Sequence, residues 1–167
     1  GCPKNDVDAD YISARLCADG HRPVNEAEEA DVVIVNTCGF ILPAREESIN
    51  EILRLGQLKA GGKVKRLYAS GCLSQRYGNE LLEGMPELDG TFGVGVLDEL
   101  SAAVSDMSRI RDTRAFQPES MSYINWEQRG ITDDLPYAYL KISDGCNRTC
   151  AYCAIPSIRG HYRSRPL

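Results

Sequence analysis

No run of apolar residues in this chain approaches the ~18–20 that a membrane-spanning helix needs, so no membrane anchor is expected within it. No signal-peptide pattern opens it either, which removes the usual setting of a secreted disulfide scaffold. Excess positive charge is also lacking. Nineteen Lys and Arg face 24 Asp and Glu, for a net charge of −5, and that balance weighs against a surface that coats nucleic acid. No internal repeat is visible, which sets aside solenoids and propellers.

What is present is an ordinary globular composition. The 167 residues are 43% hydrophobic and 26% charged, enough for one full domain and part of another. The opening "GCPKN" reads as the loop after a strand. A short strand is therefore expected ahead of Gly1, and more chain after Leu167.

Strands and helices alternate through the first hundred residues. Asn5–Gly20 reads as a helix, with Asn5 or Asp6 as N-cap and Gly20 at its end. "HRPV" is expected to be a short edge strand. "DVVIVNTC" has the unbroken β-branched character of a strand covered on both faces. Pro43–Ala60 follows as a helix: Pro43 suits its first turn, Glu46 and Glu47 its positive end, and Ile49, Ile52, Leu53 and Leu55 its buried face. "VKRLYASGC" predicts a strand and "SQRYGNELLEGM" a helix capped by Ser74. "LDGTFGVG" and "LDELSAAVSDM" predict a last strand and helix, with Asp98 near the helix start.

Such alternation implies a doubly wound α/β layer around a parallel sheet. Residues 1–107 are expected to form this near-complete domain and 108–135 a linker. Pro136–Ser143, "PYAYLKIS", then begins a second strand-led unit over 136–167.

Seven cysteines without a secretory context point to metal binding or redox chemistry rather than disulfides. Cys38 and Cys72 each end a predicted strand, and Cys2 would end the strand expected before Gly1. In open α/β sheets that edge is where ligands bind. If the strand order were 2-1-3-4-5, the three cysteine-bearing strands would be neighbours. The competing reading is three small buried hydrophobes placed there by chance. Cys17, beside Ile12 and Leu16, is read as a packed core residue.

The second group is tighter. "CNRTCAYC" places Cys146, Cys150 and Cys153 in a CxxxCxxC loop after a strand, three thiols around one centre. Zinc with His161 as fourth ligand is one reading, although His161 stands eight residues beyond Cys153. Disulfide exchange by "CAYC" is another, and an iron–sulfur cluster is preferred. In the basic stretch "IRGHYRSRPL", Arg159, His161, Arg163 and Arg165 are either a solvated loop or a holder of an acidic group.

"CNRTCAYC", with Tyr152 as the aromatic before the last cysteine, resembles the radical S-adenosylmethionine superfamily. Together with Cys2, Cys38 and Cys72 it resembles the methylthiotransferases of that superfamily. The words "GCPKN" and "CAIPSIRGHYRSRP" resemble the branch that modifies an aspartate of the twelfth small-subunit ribosomal protein. The tRNA-modifying branch reads closer to "GCQMN" and "VPYTRG".

The resemblance implies a flavodoxin-like N-terminal methylthiotransferase domain lacking its first strand. After a linker it implies the start of a truncated, TIM-like radical barrel. It implies two four-iron–four-sulfur clusters, an auxiliary one on Cys2, Cys38 and Cys72 and a radical one on Cys146, Cys150 and Cys153. S-adenosyl-L-methionine occupies the open iron of the radical cluster beside Tyr152. No catalytic residue is assigned. The implied enzyme is cytoplasmic, takes electrons from a donor such as flavodoxin or ferredoxin, and is inactive as this piece alone. A tRNA substrate, or a zinc- or flavin-binding module without catalysis, are the alternatives.

Overall fold

The computed structural model describes residues 1–106, 108, 112–114, 129–130 and 136–165. A parallel sheet carries the first unit, with strands β1 (Val32–Thr37), β2 (Arg66–Gly71), β3 (Gly90–Phe92) and β4 (Asp112–Arg114) in the order β1-β2-β3-β4. Residues 112–114 lie in the stretch expected to be a linker, and their backbone adds the fourth strand by pairing with β3.

Side chains alternate across the sheet as a pleated strand requires. Val33, Val35, Leu67 and Ala69 face one core, which α2 (Leu42–Ala60) and α3 (Cys72–Gly84) close with Ile52, Leu55, Leu73 and Leu81. Val32, Ile34, Tyr68 and Phe92 face the other, closed by α1 (Pro3–Ala18) and α4 (Leu97–Ser105) with Ile12, Leu16, Leu100 and Val104. Helices on both faces of a parallel sheet make the doubly wound α/β layer expected, consistent with a flavodoxin-like domain. The 2-1-3-4-5 order would include a strand ahead of Gly1; the strands this sequence holds run consecutively.

Several local expectations shift. α1 begins at Pro3 with Cys2 as N-cap, because proline's fixed φ suits the first helical position. Asn5 is therefore inside the helix and buried. The segment 21–24 forms no strand. Leu53 is exposed, whereas Ile52 and Leu55 are buried. α3 starts at Cys72 after Gly71, so Ser74 is not a cap, and its helix is interrupted at Tyr77. Cys17 is exposed on the last turn of α1 rather than packed in the core.

In the second unit, β5 (Ser143–Asp144) pairs antiparallel with β6 (Arg163–Ser164), and α5 (Ile155–Arg159) lies between them in sequence. The strand expected over Pro136–Ser143 does not form ahead of Ser143. Tyr137, Tyr139, Leu140 and Ile142 stay exposed. Among the described residues no parallel neighbour runs beside them, and an isolated strand has no stability of its own.

Candidate metal centres at two cysteine sets

The first set sits at the carboxyl edge of the sheet. Thr37 and Gly71 are register partners at the ends of β1 and β2, so the residues that follow them, Cys38 and Cys72, emerge side by side. Both are buried. Gly39 lets the two segments touch: a Cβ there would lie 2.8 Å from the Cys72 carbonyl and from the Leu73 backbone. Gly71, at φ +101°, turns the chain into α3 where a Cβ would meet the Thr37 carbonyl at 2.7 Å, a conformation left to glycine.

Asn5 brings Cys2 to this edge. Its amide donates to the Thr37 carbonyl (2.9 Å) and to Asn36 Oδ1 (3.3 Å), and the Asn36 amide donates back to the Asn5 carbonyl (2.6 Å). That leaves Asn5 Oδ1 as acceptor for two thiols, Cys2 Sγ at 3.4 Å and Cys72 Sγ at 4.0 Å. The two sulfurs are therefore no farther apart than those two distances together. In the sequence Asn5 has the place of a cap, and the asparagine of "NTC", Asn36, carries no signal on its own. Their pairing across 31 residues is a product of the fold.

The second set is in a more open loop. Gly145, at φ +74°, packs so closely that a Cβ there would clash with the His161 carbonyl. The Cys146 N–H donates to the Gly160 carbonyl (3.0 Å), and the Arg148 N–H donates to Cys146 Sγ (3.4 Å). Cys150 is exposed, Cys146 and Cys153 are half-buried, and Tyr152 is 89% exposed. His161 is exposed, with its backbone against Gly145. Among the described residues no three His, Cys, Asp or Glu close around a single metal ion, and all seven cysteines are free.

Between the two sets lies a buried ion network that was not legible in the sequence. Arg159, at the end of α5, is only 1% exposed. It pairs with Asp8 of α1 (2.7 Å) and with Asp144 of β5 (3.2 Å). Lys141 bridges the same two carboxylates at 2.9 and 2.7 Å, and Lys4 reaches Asp144 at 3.1 Å. Of the two readings of the basic stretch, Arg159 therefore fits the holder of acidic groups. Nearby, Arg129 joins Asp10 of α1 (2.6 Å).

The electrostatics follow from this packing. Burial alone would push Asp144 up, but Arg159, Lys141 and Lys4 outweigh it and hold its carboxyl well below the usual carboxylate range. Burial would lower Arg159, yet Asp8, the Cys72 sulfur and Asp144 raise it instead. Arg159 also donates to Cys72 Sγ at 3.3 Å. Burial pushes the Cys72 thiol up, and Arg159 pulls it part of the way back.

A thiolate is the form that binds metal. Three sulfur donors beside a network in which Lys4, Lys141 and Arg159 face two carboxylates fit an anionic iron–sulfur group better than a hard, oxygen-seeking cation.

Residues 1–93, which hold Cys2, Cys38 and Cys72, match the family described as Uncharacterized protein family UPF0004. Over its whole length the chain is 47% identical to the ribosomal protein uS12 methylthiotransferase RimO of Syntrophomonas wolfei, covering 38% of that protein. It is 45% identical to the RimO protein of Clostridium acetobutylicum over 99% of the chain and 37% of the relative. With RimO of Desulfitobacterium hafniense the identity is 42%, over 99% of the chain and 37% of the relative. The chain thus spans well under half the length of the curated relatives it matches. It belongs to the UPF0004 family, and the relatives that it resembles from end to end are RimO-type methylthiotransferases.

Proposed function

We propose that this chain is part of a cytoplasmic methylthiotransferase that inserts sulfur and a methyl group at the β-carbon of an aspartate in ribosomal protein uS12. The observation that carries the reading is the meeting of Cys2 and Cys72 on Asn5 Oδ1, with Cys38 on the adjoining strand end. Similarity to the RimO proteins at 41–47% identity supports the substrate class.

Residues 1–107 form the cysteine-edge domain, to which the stretch expected as a linker adds β4, and 136–167 open the radical domain. Cys2, Cys38 and Cys72 hold an auxiliary four-iron–four-sulfur cluster. Cys146, Cys150 and Cys153 hold the radical one, with S-adenosyl-L-methionine beside Tyr152. When bound, these groups supply the one-electron chemistry that replaces an unactivated C–H bond by C–S, with electrons from a small donor such as flavodoxin or ferredoxin.

The chain's own residues prepare that chemistry. Asn5 orients two of the three auxiliary thiols. The packing of Gly39 on Cys72 keeps the third beside them. Arg159 places a positive charge at Cys72, which favours the ligand thiolate. Gly145 and the Cys146 N–H to Gly160 bond fix the start of the second loop, while the exposure of Cys150 and Tyr152 leaves room for a cofactor.

The test is iron analysis and mass spectrometry on the full-length enzyme. After anaerobic reconstitution it should hold about eight irons per chain, four for each cubane, and add a methylthio group to uS12. About four irons, zinc alone, or a mass gain on tRNA in place of uS12 would overturn the assignment.

A further inference from the structure

Arg159 is the bulkiest fully buried side chain among the described residues. Its polar atoms face three parts of the chain: Asp8 on α1, Asp144 two residues before Cys146, and Cys72 at the sheet edge. Asp8 and Asp144 lie more than 130 positions apart in sequence, and the guanidinium joins them through separate nitrogens. A buried charge of this kind is costly unless fully engaged. A loop that needed only to be tethered would be served by the exposed ion pairs common on protein surfaces. Here the cation is placed against a sulfur instead.

We infer that Arg159 is a positioning residue shared by the two cysteine sets. Through Asp8 on α1 it docks the unit that carries the Cys146–Cys153 loop, and through Asp144 it braces the start of that loop against α5. Through the Cys72 sulfur it orients and polarises one ligand of the auxiliary group. Hydrogen bonds to cluster sulfurs and nearby positive charge stabilise the reduced, more negative state of an iron–sulfur centre and raise its potential. The sulfur half of this role rests on the cluster assignment proposed above; the docking half does not.

Lysine at this position separates the two halves. Its single ammonium replaces a planar fork and cannot serve Asp8, Asp144 and Cys72 in the same geometry. The docking experiment is hydrogen exchange on the metal-free full-length protein. Arg159→Met should speed exchange in residues 143–165 at least tenfold and leave β1 and β2 protected, whereas Arg159→Lys should slow it back toward wild type. Exchange in 143–165 unchanged by Arg159→Met overturns the docking.

The sulfur experiment uses a Cys150→Ala background, so that only the auxiliary site loads. In that protein Arg159→Lys should keep about four irons, shift the electron paramagnetic resonance signature and move the midpoint potential to more negative values. Arg159→Met, if it folds, should move the potential further the same way. An unchanged signature and potential in Arg159→Lys overturns the sulfur role. Absence of iron at Cys2, Cys38 and Cys72 in the Cys150→Ala protein overturns the cluster assignment and the sulfur role together, and the exchange result on docking stands or falls by itself.

Discussion

The two cysteine sets are built by different means. At the sheet edge, Cys38 and Cys72 follow register partners in paired strands and are 8% and 6% exposed. Their separation is set by backbone hydrogen bonds and by the two cores that flank the sheet. In the terminal loop, Cys150 is open to solvent, and order comes from Gly145, two main-chain bonds and the ions borrowed from α1. The lesson is a one-way dependence. Losing the sheet should dissolve both sets, whereas losing the loop's anchors should leave the edge set standing.

The largest expected effect tests the first half of that statement. Asp89 precedes β3 and is buried. It receives Lys59 Nζ (2.5 Å), Arg66 Nη1 (2.8 Å) and the Leu67 N–H (2.8 Å). Asp89→Ala removes the carboxylate shared by two half-buried cations and a strand amide, at a cost of about 3 kcal/mol. Urea unfolding should show the loss, and Cys38, Cys72 and the loop cysteines should become reactive to alkylation together. Reactivity confined to one set would break the comparison.

A pair of glycine substitutions comes next in size. Gly145→Ala meets both a left-handed backbone and the His161 carbonyl, so about 1–3 kcal/mol of local strain is expected. Its signature is faster hydrogen exchange at Cys146 with β1 and β2 unaltered. Gly39→Ala crowds the Cys72 carbonyl and the Leu73 backbone, and overpacking of this kind costs about 1–3 kcal/mol. That loss should appear in the global unfolding midpoint, because the neighbours that must yield belong to the sheet edge and α3. If both substitutions acted globally, the loop would be part of the same cooperative unit.

How far the sequence reveals these arrangements depends on the range of the interaction. β1 and β2 were legible because strands covered on both faces need continuous β-branched and apolar residues, and Val32–Val35 supply them. The edge position of Cys38 and Cys72 followed from where those runs stop. Pro136–Ser143 has the same local character, yet only Ser143 joins a strand, because pairing depends on a neighbour and not on propensity. Asn5 and Ser74 look like caps in the sequence for a related reason: a polar residue near a helix start can equally be buried to serve another segment, and Asn5 serves Thr37 and Asn36. Arg159 was visible only as one of several basic residues. Nothing local marks its pairing with Asp8, 151 positions earlier.

Acid offers a smaller and graded test. Burial would raise Asp89, but hydrogen bonds from Lys59, the Leu67 N–H and Arg66 outweigh it and lower its pKa. A carboxylate depressed in the folded state stabilises the fold above its unfolded value of about 3.9 and loses that contribution as pH falls through the folded value. Stability of the sheet unit should therefore decline below about pH 4. Asp89→Asn should flatten that part of the pH–stability curve, measured by urea midpoints at several pH values. An unchanged slope in Asp89→Asn would remove Asp89 from the account of why the edge set is rigid.

The smallest effect belongs to the seventh cysteine. Cys17 is exposed on α1, and among the described residues no hydrogen bond ties its thiol to either set. Exposed substitutions away from caps and networks stay within about 0.5 kcal/mol, so Cys17→Ser should leave the urea midpoint within that range and the iron content of the reconstituted full-length enzyme unaltered. The same change at Cys72 should remove about four irons, although both residues are cysteines on helices of the same domain. What separates them is place. Cys72 follows a paired strand, under Arg159 and beside Asn5, while Cys17 meets solvent. A loss of iron in Cys17→Ser would mean that position at the strand edge does not select the ligands, and the contrast between an edge built by the sheet and a loop held by ions would lose its footing.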